Sequence, residues 1–264
     1  MSNSISYRGI SKKFTAKAGV VTALENYNFE IDAHEFIVIV GPSGCGKSTL
    51  LSLTAGLMSA SEGQILLDNQ PVTGPGPDRT VVFQDFSLFP WKTVEQNISF
   101  GLRINGVAAQ ERQQLMTRAI KVIGLVGFEK YFPDQLSGGM QQRVAIARAF
   151  VMRPKVLLMD EPFAALDAMN RTLMQEELVR IWSEDKPTVL FITHSVEEAI
   201  YLADRVLVMT RRPGSIKELV NVHDFSGPDS HWRHGPIDAA MARKEFQELR
   251  QQIWNSVKEE IGEQ

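Results

Sequence analysis

The sequence predicts an α/β fold built on a parallel sheet. Phe36-Ile37-Val38-Ile39-Val40, Val156-Leu157-Leu158-Met159 and Thr188-Val189-Leu190-Phe191-Ile192 are short apolar runs, as strands buried on both faces require. Helical stretches alternate with them, the order of a sheet covered by helices. Each run also ends in residues that carry chemistry: a glycine-rich loop, Asp160-Glu161, and Thr193-His194. Polar groups at the carboxyl ends of parallel strands face a ligand crevice.

Bulk properties narrow the classes. A chain of 264 residues with 44% hydrophobic content fits one large α/β domain carrying a subdomain or tail. Lys and Arg number 28 against 31 Asp and Glu, a net charge of −3, so no basic field invites nucleic acid. Cys45 is the single cysteine, which excludes a disulfide framework and suits a reducing compartment. No run reaches the roughly 18 apolar residues of a membrane span. Met1 to Ser6 lacks an apolar signal region. The expected location is cytoplasmic, and peripheral if the protein works at a membrane.

Residues 5 to 40 read as short strands, with Asn28 to Asp32 alternating and Ala33-His34-Glu35 as a turn. Gly41 to Thr49 reads GPSGCGKST and matches G-x-x-x-x-G-K-S/T, the phosphate-binding P-loop, between an apolar strand and the helix-forming Leu50 to Ala55 ended by Gly56. Gly41, Gly44 and Gly46 let the backbone turn and approach a ligand. With Pro42 and Ser43, their amides and the helix N-terminus make a pocket for anionic oxygens. Lys47 can reach terminal phosphates, the Ser48 hydroxyl can hold Mg²⁺, and Thr49 is the hydroxyl placed for an inner phosphate. Cys45 reads either as a reactive thiol near a helix N-terminus or as a small residue that fits the loop. Phe14, after Lys12 and Lys13, is a candidate to stack on an adenine ring; Tyr7 competes, and a core position is the commoner fate of such an aromatic.

Gly63 to Asp68 is a strand, Asn69 to Pro77 a loop, and Thr80 to Gln84 a strand that ends in an amide placed to sense ligand. Residues 86 to 135 read as a helical insert, with breaks at Gly101, Gly106 and Gly124. Leu88-Phe89-Pro90-Trp91 either covers the local core or forms a docking surface. In Leu136 to Arg143, LSGGMQQR, Ser137 is an N-cap, and Gly138 and Gly139 leave amides open at a second helix N-terminus. Asp160 and Glu161 stand together after a buried strand. Burying adjacent acids costs on the order of several kcal/mol without a cation. Mg²⁺ held through Asp160 supplies one and leaves Glu161 to orient or deprotonate water.

A helix from Ala168 to Trp182, the strand Thr188 to Ile192, a helix from Val196 to Ala203 and strands at Arg205–Met209 and Ile216–Val220 come next. His194, level with Asp160 and Glu161, reads as a phosphate sensor. Residues 221 to 240 read as a solvated polar linker; His223, His231 and His234 lack the paired spacing of metal ligands. A helix from Ala239 to Ile261 carries Phe246, Leu249, Ile253, Val257 and Ile261 as its apolar stripe. No internal repeat or low-complexity tract is evident.

Taken in order, GPSGCGKST, Gln84, LSGGMQQR, LLMDEP, Ala165-Leu166-Asp167 and His194 resemble the ATP-binding cassette ATPases that drive transporters, over residues 5 to 220. The resemblance implies a RecA-like P-loop NTPase core, an antiparallel β subdomain and a helical subdomain, about residues 86–152, that carries the signature LSGGMQQR. Residues 1–221 would be the ATPase domain and 222–264 a C-terminal extension. It also implies a head-to-tail dimer, with ATP between the P-loop of one subunit and Ser137-Gly138-Gly139 of the other. Gln84 would sense Mg²⁺ and water, Glu161 would be the general base, His194 the γ-phosphate switch, and Asp167 would communicate across the dimer.

LFPWKTVEQNISFGL and TVLFITHSVEEAIYLADRVLVMTRRPG look like the branch that imports nitrate, sulfonates and taurine-like solutes. The implied partners are transmembrane permease subunits and, indirectly, a solute-binding protein, at the cytoplasmic face of the cell membrane. Phe14 stands where Tyr is more usual, Ser195 where Asp is common, and Phe163-Ala164 also departs from the frequent pattern, without removing a catalytic group. A DNA-repair or translation cassette is the alternative, but the interval from Thr49 to Leu136 has no room for a long coiled coil, and there is one cassette rather than two. A small-molecule kinase would leave LSGGMQQR and His194 without a task.

Overall fold

The computed structural model describes residues 4–16, 19–227 and 232–262. In chain order its elements are β1 (Ile5–Ala16), β2 (Gly19–Ile31), β3 (Phe36–Val40), α1 (Lys47–Thr54), β4 (Glu62–Leu67), β5 (Gln70–Pro71), β6 (Arg79–Val82), α2 (Val94–Ile104) and α3 (Ala109–Val122). Then come α4 (Gly138–Phe150), β7 (Val156–Asp160), α5 (Ala168–Asp185), β8 (Thr188–Ile192), α6 (Val196–Leu202), β9 (Arg205–Met209), β10 (Ile216–Asn221), α7 (His223–Ser226), α8 (Ile237–Met241) and α9 (Lys244–Ile261).

The strands form two sheets. One has six strands in the order β10-β9-β3-β8-β7-β6, parallel except for β10. The other has four, β2-β1-β4-β5, all antiparallel. The apolar runs of β3 and β8 are buried at every residue because both faces of the main sheet are covered. Alternation sorts β3 between two cores. Ile37 and Ile39 face α1 and the antiparallel sheet, whereas Phe36, Val38 and Val40 face α5, α6 and α9. The insert α2–α4 has a third core around Ile98, Ile120 and Val144.

Register fixes the site. Ile39 pairs with Ile192, and Ile192 with Asp160. The carboxyl ends of β3, β7 and β8 therefore lie level, and the loops leaving these three strands emerge on one edge.

Several expectations are corrected. Residues 5–31 form two long strands rather than short ones, offset by bulges between Tyr7 and Lys13 that break the sequence alternation. Helix α2 runs through Gly101 instead of breaking there: a Cβ at that position would lie 2.4 Å from Met152 Sδ, so the glycine permits close packing of α2 against the end of α4. Strand β6 stops at Val82, and Gln84 lies in an exposed bend beyond it rather than at a strand end.

Residues 221–240 are not a solvated linker throughout. Trp232, Ile237 and Ala240 join the core against α6 and α9, and the Trp232 and Phe246 rings meet at 5.0 Å. The C-terminal helix is split into α8 and α9. Its stripe of Phe246, Leu249, Ile253 and Val257 is buried, while Ile261 is 58% exposed and lies outside it. His223 lies beside Asp204; His231 is outside the described residues.

Candidate nucleotide-binding site

The P-loop joins β3 to α1. Gly44 and Gly46 take positive φ values of 75° and 110°, and Gly46 is the N-cap residue of α1 with no side chain closing its end. A Cβ on Gly46 would stand 2.9 Å from Leu24 Cδ2 and 3.0 Å from the Ala23 carbonyl, so only glycine lets the loop lie against β2. Lys47 is buried, with Nζ donating to the carbonyls of Gly41 at 2.8 Å and Pro42 at 2.9 Å. Cys45 is a packing residue. It is 1% exposed, and burial pushes its thiol pKa up, which disposes of the reactive reading.

An open cleft of about 450 Å³ lies over this loop. Its walls bring together Phe14, the Ser43–Thr49 segment, Glu161 and His194, and add Val21, Ala23 and Arg212. Phe14 is 37% exposed with the Lys12 ammonium 5.1 Å from its ring, whereas Tyr7 is buried and hydrogen-bonded to Thr54 at 2.8 Å. The open aromatic face is therefore that of Phe14, and Tyr7 is core.

Asp160 lies beside Ser48, just behind the residues that line the cleft. Burial raises its pKa, partly offset by a hydrogen bond from Ser48 and by the charge of Lys47. A carboxylate pushed toward neutrality beside a hydroxyl gains from a cation. Among the described residues no cluster of His, Cys, Asp and Glu could hold a metal unaided. One carboxylate and one hydroxyl instead suit Mg²⁺, which keeps waters and takes phosphate oxygens. Glu161 adopts φ 46°, a left-handed conformation costing about 1 kcal/mol for a non-glycine residue. Its amide donates to the Ile192 carbonyl at 3.0 Å, and its Oε1 meets His194 Nε2 at 2.5 Å.

Three expected segments lie outside this cleft. Ser137 caps α4 through Met140 N at 3.3 Å, and Ser137 and Gly138 are exposed. Asp167 caps α5, accepting from Asn170 N at 3.0 Å and Asn170 Nδ2 at 2.6 Å; those bonds hold its carboxyl below the ordinary range. Gln84 borders a separate hollow with Phe86 and Ala164.

Sequence reasoning missed Arg212, which donates to the Gly44 carbonyl at 3.0 and 3.2 Å from 168 positions away. Its local signal is the Arg-Arg-Pro-Gly turn, which fits no phosphate motif. Asn97 and Arg148 were also missed. Fully buried, Asn97 binds the backbone of Phe89, Lys92 and Thr93. Arg148, on α4, donates to the carbonyls of Ser87 and Phe86 and lies over the Phe89 ring. Together they shape the loop that leaves Trp91 70% exposed.

A glycine-loop cradle level with paired acids and a histidine defines a P-loop nucleoside triphosphatase. Residues 24–164 match the family model described as ABC transporter. The chain is 50% identical over 214 residues to the nitrate import ATP-binding protein of Synechocystis sp., covering 81% of this chain and 80% of that protein. It is 40% identical over 249 residues to the aliphatic sulfonates import ATP-binding protein of Bacillus cereus, covering 94% of each. A solved dimeric ATP-binding cassette in a post-hydrolysis state, bound to ADP and Pi, superposes with a TM-score of 0.74 at 30% identity, covering 83% of this chain and 98% of that one. The chain belongs to the ABC transporter family, as its ATP-binding and ATP-hydrolysing subunit. No described helix is long and apolar enough to cross a membrane.

Proposed function

We propose that this chain energises a membrane importer of a small anionic or zwitterionic solute of the nitrate, sulfonate or taurine kind. It would work as a peripheral homodimer at the cytoplasmic face, bound to transmembrane permease subunits and served indirectly by a solute-binding protein. We also propose residues 1–221 as the ATPase domain and 222–264 as its extension. The observation that carries the dimer is the division of the site: the P-loop, Glu161 and His194 share one cleft, while the Ser137-capped helix presents its amides elsewhere, exposed. A second copy turned head to tail gives those amides a phosphate to meet. The import-type relatives support the direction of transport.

In this reading ATP lies with its adenine on Phe14 and its phosphates in the amides of Gly41 to Thr49. Lys47 exchanges its carbonyl partners for phosphate oxygens. Ser48, Asp160 and Gln84 would hold Mg²⁺, which would supply positive charge to offset the negative charge developing on the phosphates. Glu161 takes a proton from water as the water oxygen bonds to the γ-phosphorus; the bond to the ADP oxygen breaks, and ADP and inorganic phosphate leave. His194 donates to a γ-phosphate oxygen, which requires it to leave the Glu161 contact seen here. Ser137, Gly138 and Gly139 close the site from the partner, and Asp167 lies on the same interface. Trp91, beside the loop shaped by Asn97 and Arg148, offers the permease an apolar contact.

Purification from the native cell after gentle membrane solubilisation tests this. Recovery of a multi-span membrane protein is expected, and loss of that partner when Trp91 is changed to Glu. Ribosomal or DNA-bound partners without a membrane protein would overturn the transport reading.

A further inference from the structure

Helix α9 reaches both rims of the cleft. On one rim, Arg250 Nε donates to Glu197 Oε1 at 2.5 Å, and Glu197 Oε2 accepts from Ser195 Oγ at 3.2 Å. Ser195 follows His194 directly and caps α6 through Glu198 N. On the other rim, Glu260 accepts from the Arg211 amide at 2.9 Å and pairs with Lys217 at 3.0 Å. Residue 211 opens the turn that supports the P-loop. Arg212 holds the Gly44 carbonyl, and a Cβ on Gly214 would stand 2.0 Å from the Cys45 carbonyl. Ile253 and Val257 between these two contacts, with Phe246 and Leu249 before them, bury α9 in the core, so it is a rigid bar rather than a loose tail.

We propose that α9 is a clamp that sets the geometry of the nucleotide cleft, with Arg250 and Glu260 as positioning residues. Arg250 acts through Glu197 and Ser195 on His194. Glu260 acts through the 211–214 turn on the P-loop. The proposal rests on the reading of the cleft as the ATP site. The two contacts touch different parts of that site, so they act on different constants. His194 faces the terminal phosphate, whose cleavage sets kcat, whereas the turn holds the loop that binds the phosphates before reaction and sets KM.

The test is steady-state ATP turnover and thermal unfolding of the full chain and its variants with Mg²⁺ and ATP. Arg250→Ala is expected to lower kcat about three- to fivefold with KM little changed, the scale of a partly exposed ion pair. Arg250→Lys keeps a donor and should retain at least half of kcat. Glu260→Ala is expected to raise KM about three- to fivefold with kcat little changed. Wild-type constants in both alanine variants would overturn the clamp. So would equal losses in kcat and KM that simply track a lowered Tm, since a purely structural contact gives no such division. Glu161→Gln, measured alongside, separates the two readings. Full turnover in that variant refutes Glu161 as the base and with it the assigned reaction centre, while lost turnover there with unaltered Arg250 and Glu260 variants refutes only the clamp.

Discussion

At the residue scale, single groups acquire their properties from where the strands end. Glu161 accepts backbone strain because its amide must still pair with Ile192 while its carboxylate turns to His194. Asp160 is pushed toward its neutral form by burial, which is where a cation would restore it. Cys45 behaves oppositely to an activated thiol: burial outweighs the Lys47 charge and raises its pKa. A thiol-specific reagent at neutral pH should therefore modify the native chain at least about 100-fold more slowly than the urea-unfolded chain, since both thiolate fraction and access are reduced. Equal rates in the two states would place Cys45 at the surface. The motif residues are legible in the sequence because each is a rare chemical type at a strand end. Arg212 is not, because nothing near it in sequence names Gly44 as its partner.

At the scale of elements, the strands β3, β7 and β8 are readable almost to the residue. A strand covered on both faces favours apolar side chains, and Asp160 and His194 mark where cover ends. The antiparallel strands are harder, since their outer faces are wet and bulges shift the alternation. Gln84 reads as a strand end because the apolar pattern continues through Phe83, yet β6 is an edge strand paired only with β7, and its ladder ends at Val82. Gly101 reads as a breaker because sequence shows the missing side chain but not the Met152 sulfur that fills its place. The atoms in the way belong to the flexible end of Met152, which can turn aside, so Gly101→Ala should shift stability by no more than about 1 kcal/mol, the gain in helix propensity offsetting the repacking. A thermal melt with a large drop in Tm would show that Met152 has nowhere to go.

At the scale of the whole molecule, two sheets and three cores bring the P-loop, the acidic strand end and the histidine to one cleft. The helical insert holds the signature apart from it. The C-terminal part is the least legible: Gly235 and Pro236 interrupt any period, so the burial of Trp232 and Ile237 comes from packing against α6 and α9, which the local sequence does not show. In the proposed head-to-tail dimer, the exposed, capped N-terminus of α4 would form the wall opposite the partner's P-loop.

The mass of Glu161→Gln in solution, measured by light scattering with Mg²⁺ and ATP, tests that division most directly. The account predicts a dimer with ATP, a monomer without nucleotide, and failure to dimerise when Ser137→Arg is added to the same chain. A Glu161→Gln protein that binds ATP yet stays monomeric, or dimerises equally well with Ser137→Arg, would contradict a site shared between two copies.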